Sequence, residues 1–114
     1  MKVEITNLTK EKLQKSLGGE PGYFKLVGET EGCSAGSVYS LHLVREPLPT
    51  DVPVASDGFS FVVDRQQEIL FDGVMRLYAH DNYPTFRLSS DSMLYSDHVV
   101  LKDKRYAETG GSVR

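Results

Sequence analysis

From residue 23 onwards the chain is a succession of short apolar segments separated by turn sequences. Tyr39, Leu41 and Leu43 alternate with more polar residues across 38–44, which places them on one face of an extended segment. Such alternation predicts half-buried β-strands that pack one face on a core. The other segments of this kind span residues 23–27, 59–64, 75–79, 86–88 and 98–101. Residues 47–53 contain three prolines and are predicted to be a loop.

One helix is predicted near the N-terminus. Residues 2–5 alternate as a short strand, and Thr9 is a candidate N-cap because its hydroxyl can accept from free N–H groups of the first turn. Leu13 and Leu17 give the helix one narrow apolar stripe, and the glycines at 18 and 19 end it. The predicted fold is therefore α+β, with a mixed or antiparallel curled sheet and one short helix.

The length of 114 residues suits a single domain. We expect residues 1–104 to form that domain. Residues 105–114 lack apolar periodicity and are predicted to be a flexible C-terminal tail. Residues 66–71 are predicted to form a short helical turn before the Asp72-Gly73 turn.

Charge and cysteine content exclude several classes of protein. The net charge of −3, with no basic run, gives no electrostatic basis for binding nucleic acid or anionic lipid. No segment approaches the ~18 apolar residues of a membrane helix. Cys33 is the only cysteine, so no intrachain disulfide can form. Together with an N-terminus that lacks a signal-peptide pattern, this predicts a reducing, cytoplasmic location.

The segment Glu31-Gly32-Cys33-Ser34-Ala35-Gly36 is the sharpest local feature. It lies between two predicted strands, and small residues surround the thiol. Glycines allow backbone N–H groups to turn towards one point, and such groups stabilise a thiolate. The thiolate is the form of cysteine that binds metal or attacks an electrophile.

This segment, together with the Tyr39-Ser40-Leu41 strand that follows it, resembles the HesB/IscA-like iron–sulfur biosynthesis family. Members of that family carry a Gly-Cys-Ser-x-Gly loop after a strand, then a Tyr-x-Leu strand. They also open with a short Ile-Thr strand that leads into a helix, as Ile5-Thr6 does here. Their later Asp-Gly turn and apolar strand are matched loosely by Asp57-Gly58 and residues 59–63. The resemblance spans roughly residues 2–101.

The resemblance implies a HesB-like fold and a non-enzymatic carrier or accessory protein that binds an iron–sulfur cluster or iron. In that family's pattern Cys33 is the metal ligand, Gly32 and Gly36 shape its loop, and Ser34 orients the sulfur. A homodimer is implied, with iron–sulfur assembly or acceptor proteins as further partners.

The ligand set departs from that family's pattern. Its carriers have a Cys-Gly-Cys motif after the last strands, whereas the stretch 86–100 has serines at 89, 90, 92 and 96 and no cysteine. A [2Fe–2S] cluster takes four ligands, and a dimer supplies two Cys33 thiolates. The others would be carboxylate, an added thiol such as glutathione, or imidazole from His42, His80 or His98. The strand positions of these histidines favour solvated or strand-end residues over ligands.

Two alternatives remain beside the carrier. The first is a binding or interaction module that kept the family fold and lost the cofactor. The missing Cys-Gly-Cys motif is consistent with it, because a fold can persist after its binding site is lost. A thiol-dependent enzyme would need a base and an orienting group near Cys33, and no residue adjacent in sequence supplies them.

Overall fold

The computed structural model describes residues 1–30 and 37–105, without the side chains of residues 29, 30, 37 and 38. The elements in chain order are β1 (Lys2–Ile5), α1 (Asn7–Leu17), β2 (Tyr23–Thr30), β3 (Ser37–Val44), β4 (Asp51–Ser56), β5 (Phe61–Asp64), a 3₁₀ turn (Glu68–Leu70), β6 (Val74–Ala79), β7 (Phe86–Ser89) and β8 (Leu94–Asp103). The predicted strands, the helix and the short helical turn near residues 66–71 are confirmed.

The strands close into a barrel in the order β1-β4-β5-β2-β3-β8-β7-β6. Pairing is antiparallel for β2–β3, β4–β5, β6–β7 and β7–β8, and parallel for β1–β4, β1–β6, β2–β5 and β3–β8. The predicted mixed sheet is thus confirmed, and its curl goes as far as full closure. Closure removes the unpaired edges that an open sheet of this size would expose.

Residues 51–56 form a strand, so the prediction of a loop across 47–53 was wrong in its last three positions. Pro53 made this strand hard to predict because proline cannot donate to a ladder. Here it pairs with Val62 of β5. On its other side β4 pairs with β1 only from Ala55 onwards, so at Pro53 the strand has a single neighbour and no donor is lost.

The helix begins at Asn7 with Thr6 as its N-cap, which corrects the prediction of Thr9. Thr6 Oγ1 accepts from the Thr9 N–H at 3.2 Å. Thr9 is fully buried; its hydroxyl donates to Leu77 O at 3.1 Å and accepts from Ala79 N at 2.8 Å. A hydroxyl that is both donor and acceptor suits this position, where it fixes the helix on the edge of β6. The helix ends at Gly18, as predicted, with φ at 64°.

The core fills the barrel and extends beneath the helix. Its members come from alternate positions of the strands, as the period-two pattern predicted, and Leu13 joins them from α1. The largest fully buried side chains are Phe24, Phe61, Phe86, Leu13, Leu26, Leu41, Leu43, Met75, Leu77, Leu88, Val3 and Val63. In the part of the chain that is described, no helix is long and apolar enough to cross a membrane.

Arg105 joins the end of β8 to the end of the helix. It is buried, and its guanidinium donates to Leu17 O at 2.9 Å and Ser16 O at 3.0 Å. It also binds both carboxylate oxygens of Asp103, with N–O distances of 2.9 and 3.1 Å. Arg105 is the first residue of the predicted tail; the remainder of that prediction, 106–114, lies outside the described residues. A buried cation therefore satisfies the free carbonyls at the C-terminus of α1.

Replacing Arg105 by alanine is expected to lower the free energy of unfolding by about 1–3 kcal/mol, because buried carbonyls lose a charged donor and the apolar stem leaves a void. Urea denaturation followed by circular dichroism measures this, with Lys104→Ala as the exposed matched control. Equal midpoints for the two variants would contradict the role assigned to Arg105.

The same comparison should depend on pH. Hydrogen bonds from Arg105 lower the pKa of Asp103, although partial burial opposes them. A carboxyl group whose pKa is lowered by folding stabilises the protein above its unfolded pKa, near 4, and that contribution disappears as the pH falls through its folded pKa. The stability difference between wild type and Arg105→Ala should therefore shrink below about pH 4.

Candidate functional site

The β2–β3 hairpin carries the cysteine segment. The two strands pair along their whole length, from Tyr23 with Val44 to Thr30 with Ser37. Residues 31–36 join their ends, so Gly32, Cys33, Ser34 and Gly36, the predicted ligand and its loop residues, lie outside the described residues. The structure does show the two strand ends from which that connection starts, Gly28–Thr30 and Ser37–Tyr39, which we call the hairpin base. Gln67, Leu70 and an aromatic cluster contact this hairpin base.

Gln67 binds the outer side of β2 near its end. Its amide Oε1 accepts from Gly28 N at 3.1 Å, and its Nε2 donates to Gly28 O at 2.7 Å. The parallel ladder between β2 and β5 stops two residues earlier, at Leu26 and Val63. A side-chain amide thus continues the hydrogen bonding where the neighbouring strand has ended, and it satisfies both backbone groups of Gly28.

Two side chains approach the backbone of Gly28 closely. A Cβ on residue 28 would lie 3.0 Å from Cδ1 of Leu70 and 3.2 Å from Cε1 of Tyr39. Both contacts are tighter than ordinary van der Waals separation. Leu70 therefore lies directly on the backbone of β2, and the turn at Glu68–Leu70 is fixed to the hairpin by packing as well as by Gln67.

Three aromatic rings support the β3 side of the hairpin base. Tyr39 pairs across the hairpin with Gly28, and its ring centroid lies 5.9 Å from that of Phe71 and 5.5 Å from that of Tyr95. Phe71 and Tyr95 are 5.9 Å apart, so all three rings touch one another. Contacts between aromatic rings stabilise the structure beyond the contribution that comes from burying each ring. Burial, followed by the nearby charge of Asp72, raises the pKa of Tyr95 and keeps its phenol protonated at neutral pH.

Asp72 ties the 3₁₀ turn to the β7–β8 connection. Both Ser90 and Ser92 donate their hydroxyls to its Oδ2, and these bonds lower the pKa of Asp72. In sequence the two serines were notable only as positions without cysteine. Here they are donors to an ionised carboxylate, so they have a structural role that the one-dimensional pattern did not indicate.

Exposed apolar side chains lie on the two connections that Asp72 joins. Ile69 and Leu70 are 87% and 44% exposed on the 3₁₀ turn, and Met93 and Leu94 are 50% and 47% exposed after Ser92. We refer to these four residues as the apolar rim. The contacts of Asp72 with the serines and of Phe71 with Tyr95 bring the two halves of the rim to one end of the barrel, beside the hairpin base.

The three candidate histidines lie at separate positions. His42 is on β3, paired with Lys25 on one side and Lys102 on the other, and its Nε2 is 3.4 Å from Ser40 Oγ. His98 is exposed on β8. Among the described residues, no three His, Cys, Asp or Glu side chains converge as a metal site.

His80 is engaged with Asp97. Its Nε2 lies 2.8 Å from Asp97 O and 3.2 Å from Asp97 Oδ1. The register between β7 and β8 shifts between Phe86 and Leu88, where β8 has one extra residue, and this irregularity lies beside Asp97. A relation of any of the three histidines to Cys33 remains a prediction.

Sequence reasoning missed Gln67 entirely. The expected helical turn at 66–71 gave its place in the chain but not its partner, which is 39 residues away. Asp64 offered a weak signal, since it ends β5 and its Oδ1 accepts from Gln66 N at 2.8 Å. That turn reverses the chain and brings Gln67 back against β2.

Comparison with known protein families finds one that matches nearly the whole chain. The family described as "Iron-sulphur cluster biosynthesis" matches residues 1–103. No curated protein sequence matches the chain. Among solved structures, a protein assigned to Fe–S biosynthesis from Lactobacillus salivarius is 18% identical with a TM-score of 0.76, over 92% of this chain and 99% of that one.

Two further structures are similar in fold. SufA of Escherichia coli, described as involved in the biosynthesis of iron–sulfur clusters, is 19% identical with a TM-score of 0.59, over 79% of this chain and 86% of that one. IscA with a [2Fe–2S] cluster is 20% identical with a TM-score of 0.60, over 85% and 97%. The resemblance that the Gly32–Gly36 segment suggested is therefore confirmed as a family relation.

Gln67→Ala should loosen the hairpin base while leaving the barrel folded. Loss of the side-chain acceptor frees the Gly28 amide, and a hydrogen bond of about 1–2 kcal/mol corresponds to about 5- to 30-fold faster exchange at that position. Amide hydrogen exchange by NMR measures it, with Gln66→Ala as the control because the Gln66 side chain makes none of these bonds. Unchanged exchange at Gly28 would refute the assignment.

Proposed function

This chain belongs to the iron–sulphur cluster biosynthesis family, and on that premise we propose that it is a non-enzymatic carrier or accessory protein. Its cargo is an iron–sulfur cluster or iron, which it receives and passes on during cluster assembly. Cys33 is the ligand, with Gly32, Ser34 and Gly36 shaping its surroundings. The observation that carries this proposal is the position of the Gly-Cys-Ser-x-Gly segment at the end of a long hairpin in a chain with the family's fold.

The described geometry supports this role through the hairpin base. Gln67, Leu70 and the ring of Tyr39 hold β2 and β3 at the Gly28–Tyr39 pair, two residue pairs before the ends of the strands. A thiolate donor joined to such a base is confined to one end of the barrel, so less freedom is lost when it binds a cluster. The single cysteine also suits a reducing cytoplasmic location, where its thiol stays free.

One chain supplies too few thiolates to complete a cluster. A [2Fe–2S] cluster takes four protein or thiol ligands, and each chain contains one cysteine. We therefore propose a homodimer in which two copies of Cys33 contribute, with imidazole, carboxylate or a small thiol completing the set. Transfer to an acceptor is helped by exchangeable ligands, because a site held by fewer protein thiolates releases its cargo more readily.

The apolar rim supports association at this end of the barrel. Soluble monomers rarely leave several large apolar side chains together in water, and such a patch beside a site commonly marks an interface. A second copy covering Ile69, Leu70, Met93 and Leu94 would lie against the hairpin base and so beside the cysteine segment. Assembly or acceptor proteins are the other partners we propose for the same end.

An interaction module without cargo is the second candidate. The absence of a converging set of three metal-ligating side chains within residues 1–30 and 37–105 favours it. So does the use of Ser90 and Ser92 as donors to Asp72, because these side chains are committed to holding two loops together. For an interaction module, the function of the barrel and its apolar rim is to bind a partner protein, without a cluster or iron.

Anaerobic reconstitution with iron and sulfide separates the two candidates. Wild type is expected to bind about one [2Fe–2S] cluster per two chains, seen as sulfide-to-iron charge-transfer absorption and as stoichiometric iron and sulfide. Cys33→Ser should abolish this because serine is a far poorer ligand for a cluster. The variants His42→Ala, His80→Ala and His98→Ala show which imidazole, if any, is a ligand. Absence of a cluster in wild type, or an undiminished one in Cys33→Ser, favours the interaction module.

The dimer is tested with substitutions at the rim. Ile69→Asp combined with Met93→Asp should raise the dimer dissociation constant at least about 10-fold, since charges replace apolar contacts in a desolvated interface. Sedimentation equilibrium measures it, with Leu48→Asp as the control at a residue 55% exposed outside the rim. A wild type that stays monomeric with and without cluster, or a control as damaging as the double variant, would disprove this interface.

A further inference from the structure

A cavity of about 380 Å³ lies between α1 and the connection from β6 to β7, apart from the hairpin. Phe86 and Leu101 provide apolar surface from β7 and β8, and Tyr83, 67% exposed, stands at its side. Lys12 and Lys15 line it from the helix. Its size and its mixture of apolar surface with few polar groups are those of a site for a small molecule.

Lys12 fixes one side of the cavity by binding the connection between β6 and β7. Its ammonium donates to the backbone oxygen of His80 and, at 2.8 Å, to that of Tyr83. These two bonds hold the connection 81–84 against the helix. An ammonium has three N–H donors, and two carbonyls use two of them, so one remains for a ligand. The His80–Asp97 contact holds the start of the same connection, and the Tyr83 ring stands at 81° to that of His80.

The positive charge at the cavity is not neutralised within the described part of the chain. Lys10, Lys25 and Arg76 each form an ion pair with a carboxylate, whereas neither Lys12 nor Lys15 does. Asp81 is the one carboxylate among the described lining residues, which leaves the lining with a net positive charge. On a protein of net charge −3 this is a local reversal of sign. Carbonyl dipoles stabilise the Lys12 cation but leave it attractive to an anion.

We propose that this cavity binds a small organic acid, with an apolar body against Phe86, Leu101 and Tyr83 and a carboxylate between Lys12 and Lys15. Ammonium–carboxylate hydrogen bonds are stronger than neutral ones, and a partly enclosed site screens them less than open solvent does. Asp81 disfavours a second negative charge on the ligand. The inference is independent of iron and of Cys33.

Titration of isotope-labelled protein by NMR tests this, with 3-phenylpropionate as the probe. Saturable shifts of the amides of Lys15, Ser16, Asn82 and Tyr83 are expected, with a dissociation constant of about 1 mM or lower. 3-Phenylpropanamide has the same ring without the charge and should bind at least about five-fold more weakly. Equal binding of acid and amide would overturn the role of the lysines, and absence of saturable shifts would overturn the site.

Variants separate the charge from the cavity. Lys15→Gln should weaken binding of the acid about two- to five-fold and leave the amide unaffected, because Lys15 is exposed and its loss removes charge alone. Tyr83→Ala should weaken both ligands through loss of apolar contact. Lys2→Gln, at a lysine on β1 away from the cavity, is the matched control and should change neither. If Lys15→Gln and Lys2→Gln bind the acid equally well, the proposed recognition is wrong.

Discussion

The barrel closes only because β1 pairs on both of its sides. It runs parallel to β4, with Lys2 beside Ala55, and parallel to β6, with Val3 beside Met75. Lys2 N also donates to Gly73 O at 2.8 Å, which fixes the start of the strand. Without this four-residue strand, β4 and β6 would become exposed edges. Because the barrel is closed, each strand has a neighbour on both sides.

The hairpin shows how closure serves a site. β2 pairs with β5 only as far as Leu26, and β3 pairs with β8 only from Ser40, so the far ends of β2 and β3 lie outside the continuous ladder. Gln67 on one side and the cluster of Tyr39, Phe71 and Tyr95 on the other take over the support that strands no longer provide. The hairpin is therefore held by packing at Gly28 and Tyr39, two residue pairs before the strand ends from which the connection carrying Cys33 starts.

Fold and ligand set follow different constraints in this chain. The fold needs the alternating core residues, and in this chain they are distributed from Val3 to Val99, within the span 1–103 that the family matches. The ligand set needs thiolates, and the chain has one. Ser90 and Ser92 lie outside the core but have a structural role. They donate to Asp72 and so help to position the apolar rim. The proposed carrier function therefore requires another molecule to complete the ligand set.

The sequence by itself determined which residues face the core, where the helix ends and which segment resembles a family's ligand loop. These properties depend on residues close together in the chain, such as the alternation of Leu41 and Leu43 or the left-handed conformation open to Gly18. The tertiary structure alone decided that the sheet closes, that Pro53 lies within a strand, that Thr9 contacts β6 instead of capping the helix, and that Gln67 binds Gly28. Each of these depends on a partner far away in sequence, and a local pattern carries no information about which distant strand will lie beside it.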